Sequence, residues 1–291
     1  MPPLSPSLQI TEVGPRDGLQ NEPCIVGLET KIRFVELLAA SGLDSIEVTS
    51  FVSPKWVPQL ADSEALLRGI KRKAGVRYSA LVPNEQGLAR ALAVGVDAIA
   101  IFTAASEAFA KRNINATIAE SVARFVPVVR DAKAAGVRVR GYVSCVIACP
   151  FDGKVAPRSV REVTRMLLDL GVDEIDLGDT IGVAIPSDIT QLYEGIADTL
   201  SPGGSVLHLH DTNGQAIACA TEAIALGVRK FDGSVAGLGG CPYAPGASGN
   251  VATERLVELA HRLGCSTGVG LAELHEAGRF ICSAIGRASP A

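Results

Sequence analysis

The sequence predicts an α/β fold, a (β/α)8 TIM barrel with an added C-terminal helix. A motif of a helix-ending residue, a glycine and a short apolar run recurs at intervals of about one βα unit. Together with three further apolar runs, it yields eight candidate strands. Polar residues follow nearly every strand, and a barrel gathers all its strand ends around one mouth. A doubly wound open sheet is the alternative, but it would concentrate its site at one switch point.

The candidate strands follow one another along the chain without an antiparallel hairpin signal between them, so we expect them to be parallel. In each repeat a glycine ends the helix, where a left-handed residue is common. Three strands outside the repeats are predicted at Leu8 to Val13, Tyr78 to Val82 and Val206 to His210. The repeats lie at 40–48, 93–101, 135–142, 170–177 and 226–232.

Two helices are predicted after the eighth strand, because residues 251–263 and 271–287 have helical periodicity. The first is interpreted as the helix that closes the barrel, and the second as the added terminal helix. His261 and His275 lie in these helices, and neither is assigned a functional role.

The composition indicates one domain over residues 1–291. A chain of 291 residues with 47% hydrophobic residues and a mean hydropathy of +0.28 can bury a large core. Aromatic residues make up only 4%, which suits a sheet of small branched side chains ringed by Ala-rich helices. A net charge of −4 without a long basic run argues against nucleic acid as a partner.

No membrane association and no targeting are expected from the sequence. The N terminus has neither a signal nor a transit pattern, and no apolar stretch reaches membrane-spanning length. Seven cysteines are an odd number without zinc-type pairing, because Cys145 and Cys149 have no matching second pair. Reduced thiols in the cytoplasm are therefore predicted.

The most informative stretch is the run that contains His208 and His210, because residues at i and i+2 of a strand face the same side. The polar turn that follows places both imidazoles at the C-terminal end of the strand, where an α/β barrel carries its chemistry. Two neutral core histidines that donate to backbone carbonyls are the structural alternative. Two on one face, in a chain with only four, favour a metal site.

The loop after the first strand supplies the other candidates for this site. Asp17 can add the oxygen ligand that two imidazoles need to bind a divalent cation, and Arg16 then remains free for a substrate carbonyl or a developing enolate. An exposed ion pair between the two is the alternative. Glu47, in the second strand, is placed to orient either Arg16 or a metal-bound water.

The glycine-rich stretch 237–250 follows the eighth strand and carries Cys241. Such a loop can fold over a ligand, and a thiol between Gly240 and Pro242 can exchange protons with a substrate. A small buried side chain without chemistry is the alternative for Cys241. Asn250 is either the N-cap of the last barrel helix or a carbonyl-oxygen metal ligand, and the residues alone leave both open.

Six long motifs are spread over nearly the whole chain: VGPRDGLQNE at 13–22, TSFVSPKWVPQ at 49–59, RGYVSC at 140–145, LGDTIG at 177–182, HLHDT at 208–212 and GLGGCPYA at 237–244. These motifs resemble those of the 3-hydroxy-3-methylglutaryl-CoA lyase family. The resemblance implies a TIM-barrel enzyme that uses Mg²⁺ or Mn²⁺ to split an acyl-CoA substrate into acetyl-CoA and a 3-keto acid, as in leucine degradation and ketone body formation.

By this resemblance, metal ligands are expected at Asp17, His208, His210 and Asn250. Catalytic or supporting roles are expected at Arg16, Glu47, Asp179 and Cys241, and substrate contacts at Arg16, Gln20, Ser50, Ser144 and Thr180. A homodimer or higher homo-oligomer is expected. The residues that contact CoA are unassigned beyond a basic candidate segment at 109–115.

Two other functions compete with the lyase. A Claisen-type condensing acyl transferase, such as a citramalate or homocitrate synthase, would run the chemistry in the reverse sense, but such relatives usually carry a different first-strand motif and an added regulatory or lid region. A catalytically silent metal- or CoA-binding module would not need a thiol that exchanges protons, such as that of Cys241, on a glycine-rich loop. Release of acetyl-CoA by the purified protein separates these possibilities.

Overall fold

Eight parallel strands close into a barrel in the computed structural model, which describes residues 6–240 and 249–288. In chain order the strands are β1 (Gln9–Glu12), β2 (Ser45–Ser50), β3 (Arg77–Leu81), β4 (Ala98–Ala104), β5 (Arg138–Ser144), β6 (Ala148–Cys149), β7 (Gly153–Lys154), β8 (Glu174–Asp179), β9 (Ser205–Leu209) and β10 (Lys230–Gly233). In the described chain β6 and β7 lie outside the barrel and form a separate two-stranded sheet. Around the barrel the order is β1-β10-β9-β8-β5-β4-β3-β2, which confirms the predicted (β/α)8 architecture.

The helices surround the barrel. They are α1 (Leu28–Ala40), α2 (Ser63–Gly69), α3 (Glu85–Ala93), α4 (Glu107–Ile114), α5 (Ile118–Ala134), α6 (Pro157–Leu170), α7 (Pro186–Ile196), α8 (Ala216–Leu226), α9 (Thr253–Arg262) and α10 (Leu271–Ile285). Within the ranges that the structure describes, no helix is long and apolar enough to cross a membrane.

The apolar core lies between the strands and the helices, because alternate residues of a strand face opposite sides. In β8, Ile175 and Leu177 are buried in this core. Asp176, between them, is paired with Arg140 of the neighbouring strand β5. The inner face of the barrel therefore carries charged pairs beside a small apolar cluster of Leu81, Ala100 and Tyr142, whereas barrel interiors are usually filled by bulky branched side chains. The expected sheet of small branched residues describes only the outer face.

The added terminal helix packs against α1. It ends at Ile285, where Gly286 has a φ of 71° and caps the helix in the left-handed conformation. The loop before the helix is fixed to the end of α1, since Gly270 N–H donates to Ser41 O over 2.7 Å. Gly42 cannot carry a side chain here, because its φ is 95° and a Cβ atom would lie 2.2 Å from Gly268 O.

Three local features were not predicted from the sequence. A short antiparallel hairpin, formed by β6 with β7, interrupts the βα pattern after β5. The basic candidate segment at 109–115, to which the sequence assigned no element, lies mostly in helix α4. The turn after β1 is a short π-helix over Gly14–Gly18, because the N–H groups of Arg16, Asp17 and Gly18 all donate to the carbonyl of Val13.

Candidate active site and metal centre

The π-helix that carries Arg16 and Asp17 is fixed by close contacts with the opposite end of the chain. Glu12 accepts hydrogen bonds from Gly14 N–H (2.8 Å), from Val235 N–H (2.9 Å) and from the Thr253 hydroxyl (2.7 Å). A Cβ atom on Gly14 would lie 2.5 Å from Glu12 Oε1. A larger residue at this position would therefore displace Glu12 from its hydrogen bonds. The turn brings Asp17 to the C-terminal mouth of the barrel.

His208 and His210 lie on the inner face at the end of β9, as the i, i+2 spacing predicted. Their ring centroids are 5.3 Å apart, and their Nε2 atoms lie 4.0 and 3.9 Å from Asp17 Oδ2. Two ligand atoms of a Mg²⁺ ion cannot be farther apart than about 4.2 Å, since each lies about 2.1 Å from it. The three side chains therefore form a group that can hold a divalent cation.

Asn250 lies beside this group, in an isolated bridge with His210. Its Nδ2 donates to Asp17 Oδ2 (2.8 Å) and to Leu238 O (3.1 Å), which leaves its amide oxygen as the atom that could bind a cation. Helix α9 begins at Thr253 with Ala252 at the N-cap position. The alternative that Asn250 caps this helix is therefore wrong.

The charges of the group suit a cation. Although burial raises the pKa of Asp17, Arg16 and the two histidines lower it to about 2, so the carboxylate is ionised at neutral pH. Burial and the neighbouring His208 lower the pKa of His210 to about 4, so this imidazole is neutral and able to act as a ligand. Burial also lowers the pKa of His208, but Asp232 and Asp17 raise it above the usual value.

Arg16 is buried and held in one orientation beside Asp17. Its Nε donates to Glu47 and its Nη1 to Asp17, and its guanidinium lies 5.5 Å from the ring centroid of Tyr142. Of the alternatives for Glu47, the structure thus places it as the partner of Arg16. Nη2 is not used in these contacts, so it is the nitrogen best placed to meet an oxygen of a substrate.

Comparisons with known proteins identify the family of this chain. The family model described as HMGL-like matches residues 7–281. The chain belongs to the HMGL-like family. It is 51% identical over 280 residues to the mitochondrial hydroxymethylglutaryl-CoA lyase of Bos taurus, which covers 96% of this chain and 86% of the relative.

Two solved structures extend the comparison. The hydroxymethylglutaryl-CoA lyase of Pseudomonas aeruginosa superposes with a TM-score of 0.96 and 49% identity, covering 99% of this chain and 96% of the other. An HMG-CoA lyase from Acinetobacter baumannii, solved with coenzyme A and 3-methylmalate, gives a TM-score of 0.92 and 36% identity, covering 98% of this chain and 93% of the other.

Asp179, the other carboxylate that the family resemblance marked as catalytic, is not brought into the group. In β8 it follows the apolar residues of the outer face, and its Oδ2 accepts a hydrogen bond from Ala184 N–H over 2.9 Å. Burial raises its pKa to about 6, against the opposing effect of backbone donors in the loop 182–184. In this chain Asp179 holds the loop after β8, and its catalytic role stays a prediction.

The residues predicted to contact substrate lie where barrel strands end. Ser50 ends β2 and Ser144 ends β5, while Thr180 directly follows β8 and accepts a hydrogen bond from Cys145 N–H over 2.8 Å. Gln20 follows the π-helix and is half-buried. Cys241 lies outside the described residues.

Sequence reasoning missed three buried polar residues that contact the predicted site or its neighbours: Arg140, Tyr142 and Asp232. The Tyr142 hydroxyl lies 3.1 Å from Glu47 Oε2 and 3.2 Å from Asp232 Oδ2. Strands of a parallel barrel usually read as continuous apolar runs. The alternating charges in Lys230-Phe231-Asp232 and Arg138-Val139-Arg140 were a signal that the inner face is functional.

Proposed function

We propose that this chain is a divalent-metal-dependent carbon–carbon lyase that cleaves 3-hydroxy-3-methylglutaryl-CoA, or a close 3-alkyl analogue, to acetyl-CoA and acetoacetate or the matching 3-keto acid. The observation that carries the proposal is the fixed guanidinium of Arg16 beside the ligand group Asp17, His208 and His210 at the barrel mouth. The relatives named as lyases of this substrate support the choice of reaction.

The proposed cofactor is one Mg²⁺ or Mn²⁺ ion per chain, held by Asp17, His208 and His210 with the amide oxygen of Asn250. Two nitrogen and two oxygen donors fit a small divalent cation that keeps positions open for substrate oxygens. When bound, the ion supplies Lewis acidity that lowers the pKa of a coordinated hydroxyl and polarises a carbonyl.

Arg16 would stabilise the charge that develops during cleavage. When the C2–C3 bond breaks, its electron pair moves onto the thioester as an enolate, while the hydroxyl carbon becomes the ketone of the 3-keto acid. A guanidinium held by Glu47 and Asp17 cannot swing away, so its remaining N–H groups stay aimed at the thioester oxygen. Such fixed donors are worth most in a buried site.

Cys241 would deliver the proton that converts the enolate to acetyl-CoA. The hydroxyl proton that the substrate loses restores the thiol, so one turnover exchanges no net proton and needs no covalent intermediate. An unperturbed thiol has a pKa of about 8.5, within reach of neutral pH. Cys241→Ser should lose most of the rate and keep metal affinity, and intact-mass analysis of quenched turnover should show no adduct on Cys241.

The acyl-CoA would lie across the mouth. Gln20, Ser50, Ser144 and Thr180 are proposed to contact the acyl part. The basic residues of α4 are the candidates for the CoA phosphates. Arg112 in this helix stacks over Phe151, with 4.4 Å to the ring centroid. We further propose a single catalytic domain that acts in the cytoplasm as a homodimer or higher homo-oligomer.

The decisive experiment follows acetyl-CoA and acetoacetate release from the purified, metal-stripped protein before and after Mg²⁺ or Mn²⁺ is added. A panel of 3-hydroxy-3-alkylglutaryl-CoA substrates would identify the alkyl group. Absence of cleavage for every member of the panel with both metals would refute the proposal. Light scattering on the same sample gives the oligomeric state.

A further inference from the structure

Asp232 lies on the inner face of β10, directly below the candidate metal group, and its side chain is 0% exposed. Each carboxylate oxygen has a defined partner. Oδ2 lies 3.2 Å from His208 Nδ1 and 3.2 Å from the Tyr142 hydroxyl, and Oδ1 lies 2.8 Å from Arg140 Nη1. The carboxylate thus joins His208 to a buried arginine deeper in the barrel.

We propose that Asp232 is a positioning residue that fixes His208 as the tautomer protonated on Nδ1, so that the Nε2 lone pair faces Asp17 and His210. This inference rests on the proposed metal-dependent function. A neutral imidazole carries one proton, and an ionised carboxylate beside Nδ1 can only accept it. Such outer carboxylates commonly orient metal-binding histidines and set their basicity.

Arg140 keeps Asp232 available for this task. Its guanidinium also contacts Asp176 (3.2 Å), Glu174 (2.9 Å) and the Thr11 hydroxyl (3.0 Å), and its side chain is only 13% exposed. These contacts fix the plane of the guanidinium and hence the carboxylate that it holds. A flexible ammonium could not make the same set of bonds.

Asp176, His208 and Asp232 are themselves close enough to hold a metal ion. Arg140 argues against that use, because its Nη1 lies 3.2 Å from Asp176 Oδ2 and 2.8 Å from Asp232 Oδ1. The guanidinium already supplies the positive charge between these carboxylates. His208 would therefore bind a single cation through Nε2, while its Nδ1–H donates to Asp232.

His208 and His210 differ in the hydrogen-bond partner of Nδ1. Among the residues described, the buried Nδ1 of His210 has no hydrogen-bond partner. Of the two, only His208 has a carboxylate that can define its tautomer. Loss of Asp232 should therefore weaken metal binding through one imidazole and leave the other in place.

Asp232→Asn tests the proposal, with Asp173→Asn as the matched control. The side-chain amide that D232N introduces can donate to His208 Nδ1 and so favour the wrong tautomer, whereas Asp173 contacts Lys133 and Val139 N–H and takes no part in the contacts of Arg140 or His208. In metal-stripped protein titrated with Mn²⁺, we expect D232N to bind about 10- to 100-fold more weakly than wild type. D173N should bind within about twofold. Equal weakening in both variants, or unchanged affinity in D232N, would overturn the proposal.

A second measurement needs no substitution at Asp232. Two-bond ¹H–¹⁵N spectra of the metal-free wild-type chain report the tautomer of each imidazole, and the chain has only four histidines to assign. At a pH above the raised pKa of His208, this residue should appear as the Nδ1–H form, and an Nε2–H form would refute the inference even if D232N does not fold. Neither readout uses turnover. A chain that passes both tests without cleaving any acyl-CoA would refute the proposed reaction alone.

Discussion

The two faces of the barrel strands bury different kinds of side chain, apolar on the outer face and largely charged or polar on the inner face. Outward-facing residues such as Ile99, Val139 and Leu207 join the apolar core against the helices. Inward-facing residues form ion pairs and hydrogen bonds, as Glu47 does with Arg16 and Arg140 does with Asp232. Neighbouring residues of a single strand therefore belong to different environments, and the comparison separates what holds the fold from what serves the site.

Burial of apolar area explains why the outer face should dominate stability, since each large side chain removed from water contributes about 1.5 to 3 kcal/mol. Buried ion pairs contribute little net stability, because desolvation offsets most of their attraction. The inner network is thus better explained by the orientation it gives to Arg16 and His208. If so, changes on the two faces should have separable effects on turnover and on stability.

The largest effect is expected for His210→Ala on the inner face. Removing one imidazole from the metal group should lower turnover by about 10³-fold or more, because the ion supplies several kcal/mol of transition-state stabilisation. The free energy of unfolding of the metal-free protein should change by only about 1 kcal/mol. Steady-state kinetics with Mn²⁺ and urea unfolding measure the two. His261→Ala, on the exposed side of α9, should change neither. A fully active His210→Ala enzyme would remove this residue from the metal site.

Arg16→Lys tests the inner face more finely, because it keeps the positive charge and removes only the planar guanidinium with its several N–H donors. A lysine cannot contact Glu47 and Asp17 and still present a fixed donor to the substrate. We expect kcat to fall by about 10²- to 10³-fold, as for loss of one oxyanion donor. Mn²⁺ affinity, measured by calorimetry, should stay close to that of wild type. A lysine variant within a few-fold of wild type would show that positive charge alone suffices.

Ile175→Ala tests the outer face, next to the inward-facing Asp176. The side chain is 1% exposed, so the substitution leaves a cavity and should cost about 2 to 5 kcal/mol of unfolding free energy. The kcat at a temperature where the variant is folded should be unchanged. Ile185→Ala, at a residue that is 48% exposed, is the control and should cost less than about 0.5 kcal/mol. A large loss of Mn²⁺ affinity in Ile175→Ala would show that the two faces are coupled.

The difference between the faces also explains what the sequence could predict. The outer face and the αβ loops obey general rules of periodicity and glycine capping, so the barrel and its closing helices were predictable. The His208 and His210 pair was visible because its residue types are rare and its spacing is local. The partners Tyr142 and Asp232 were not, because their contacts with Glu47 and His208 join different strands, 95 and 24 positions apart along the chain, and depend on the register of the closed barrel.

Local rules also left a few residues undecided. Asn250 fits an N-cap by its residue type, but the helix begins three residues later, and the amide instead bonds to Asp17. The role of Asp179 was implied by the family resemblance and not by a local rule. The alternation of side chains along β8 places Asp179 on the outer face, where it accepts a hydrogen bond from the loop after the strand. The register of each strand decides which face a residue occupies, and only the closed barrel fixes that register.

Asp179 gives the smallest effect and the last test of the comparison, because it is a carboxylate buried on the apolar side of the wall. Burial raises its pKa to about 6, so the folded state holds the proton more tightly than the unfolded state does. The stabilisation from this proton is therefore complete below pH ~4 and is lost as the pH rises through about 6. Relative to Asp179→Asn, wild type should lose about 2 kcal/mol of unfolding free energy between pH ~4.5 and ~7.5, the values at which urea unfolding would be measured. Asp173→Asn is the control, because Lys133 and a backbone donor lower the pKa of Asp173 despite partial burial, and its titration lies below this window. A flat difference between wild type and Asp179→Asn would mean that the loop donors keep Asp179 ionised in both states.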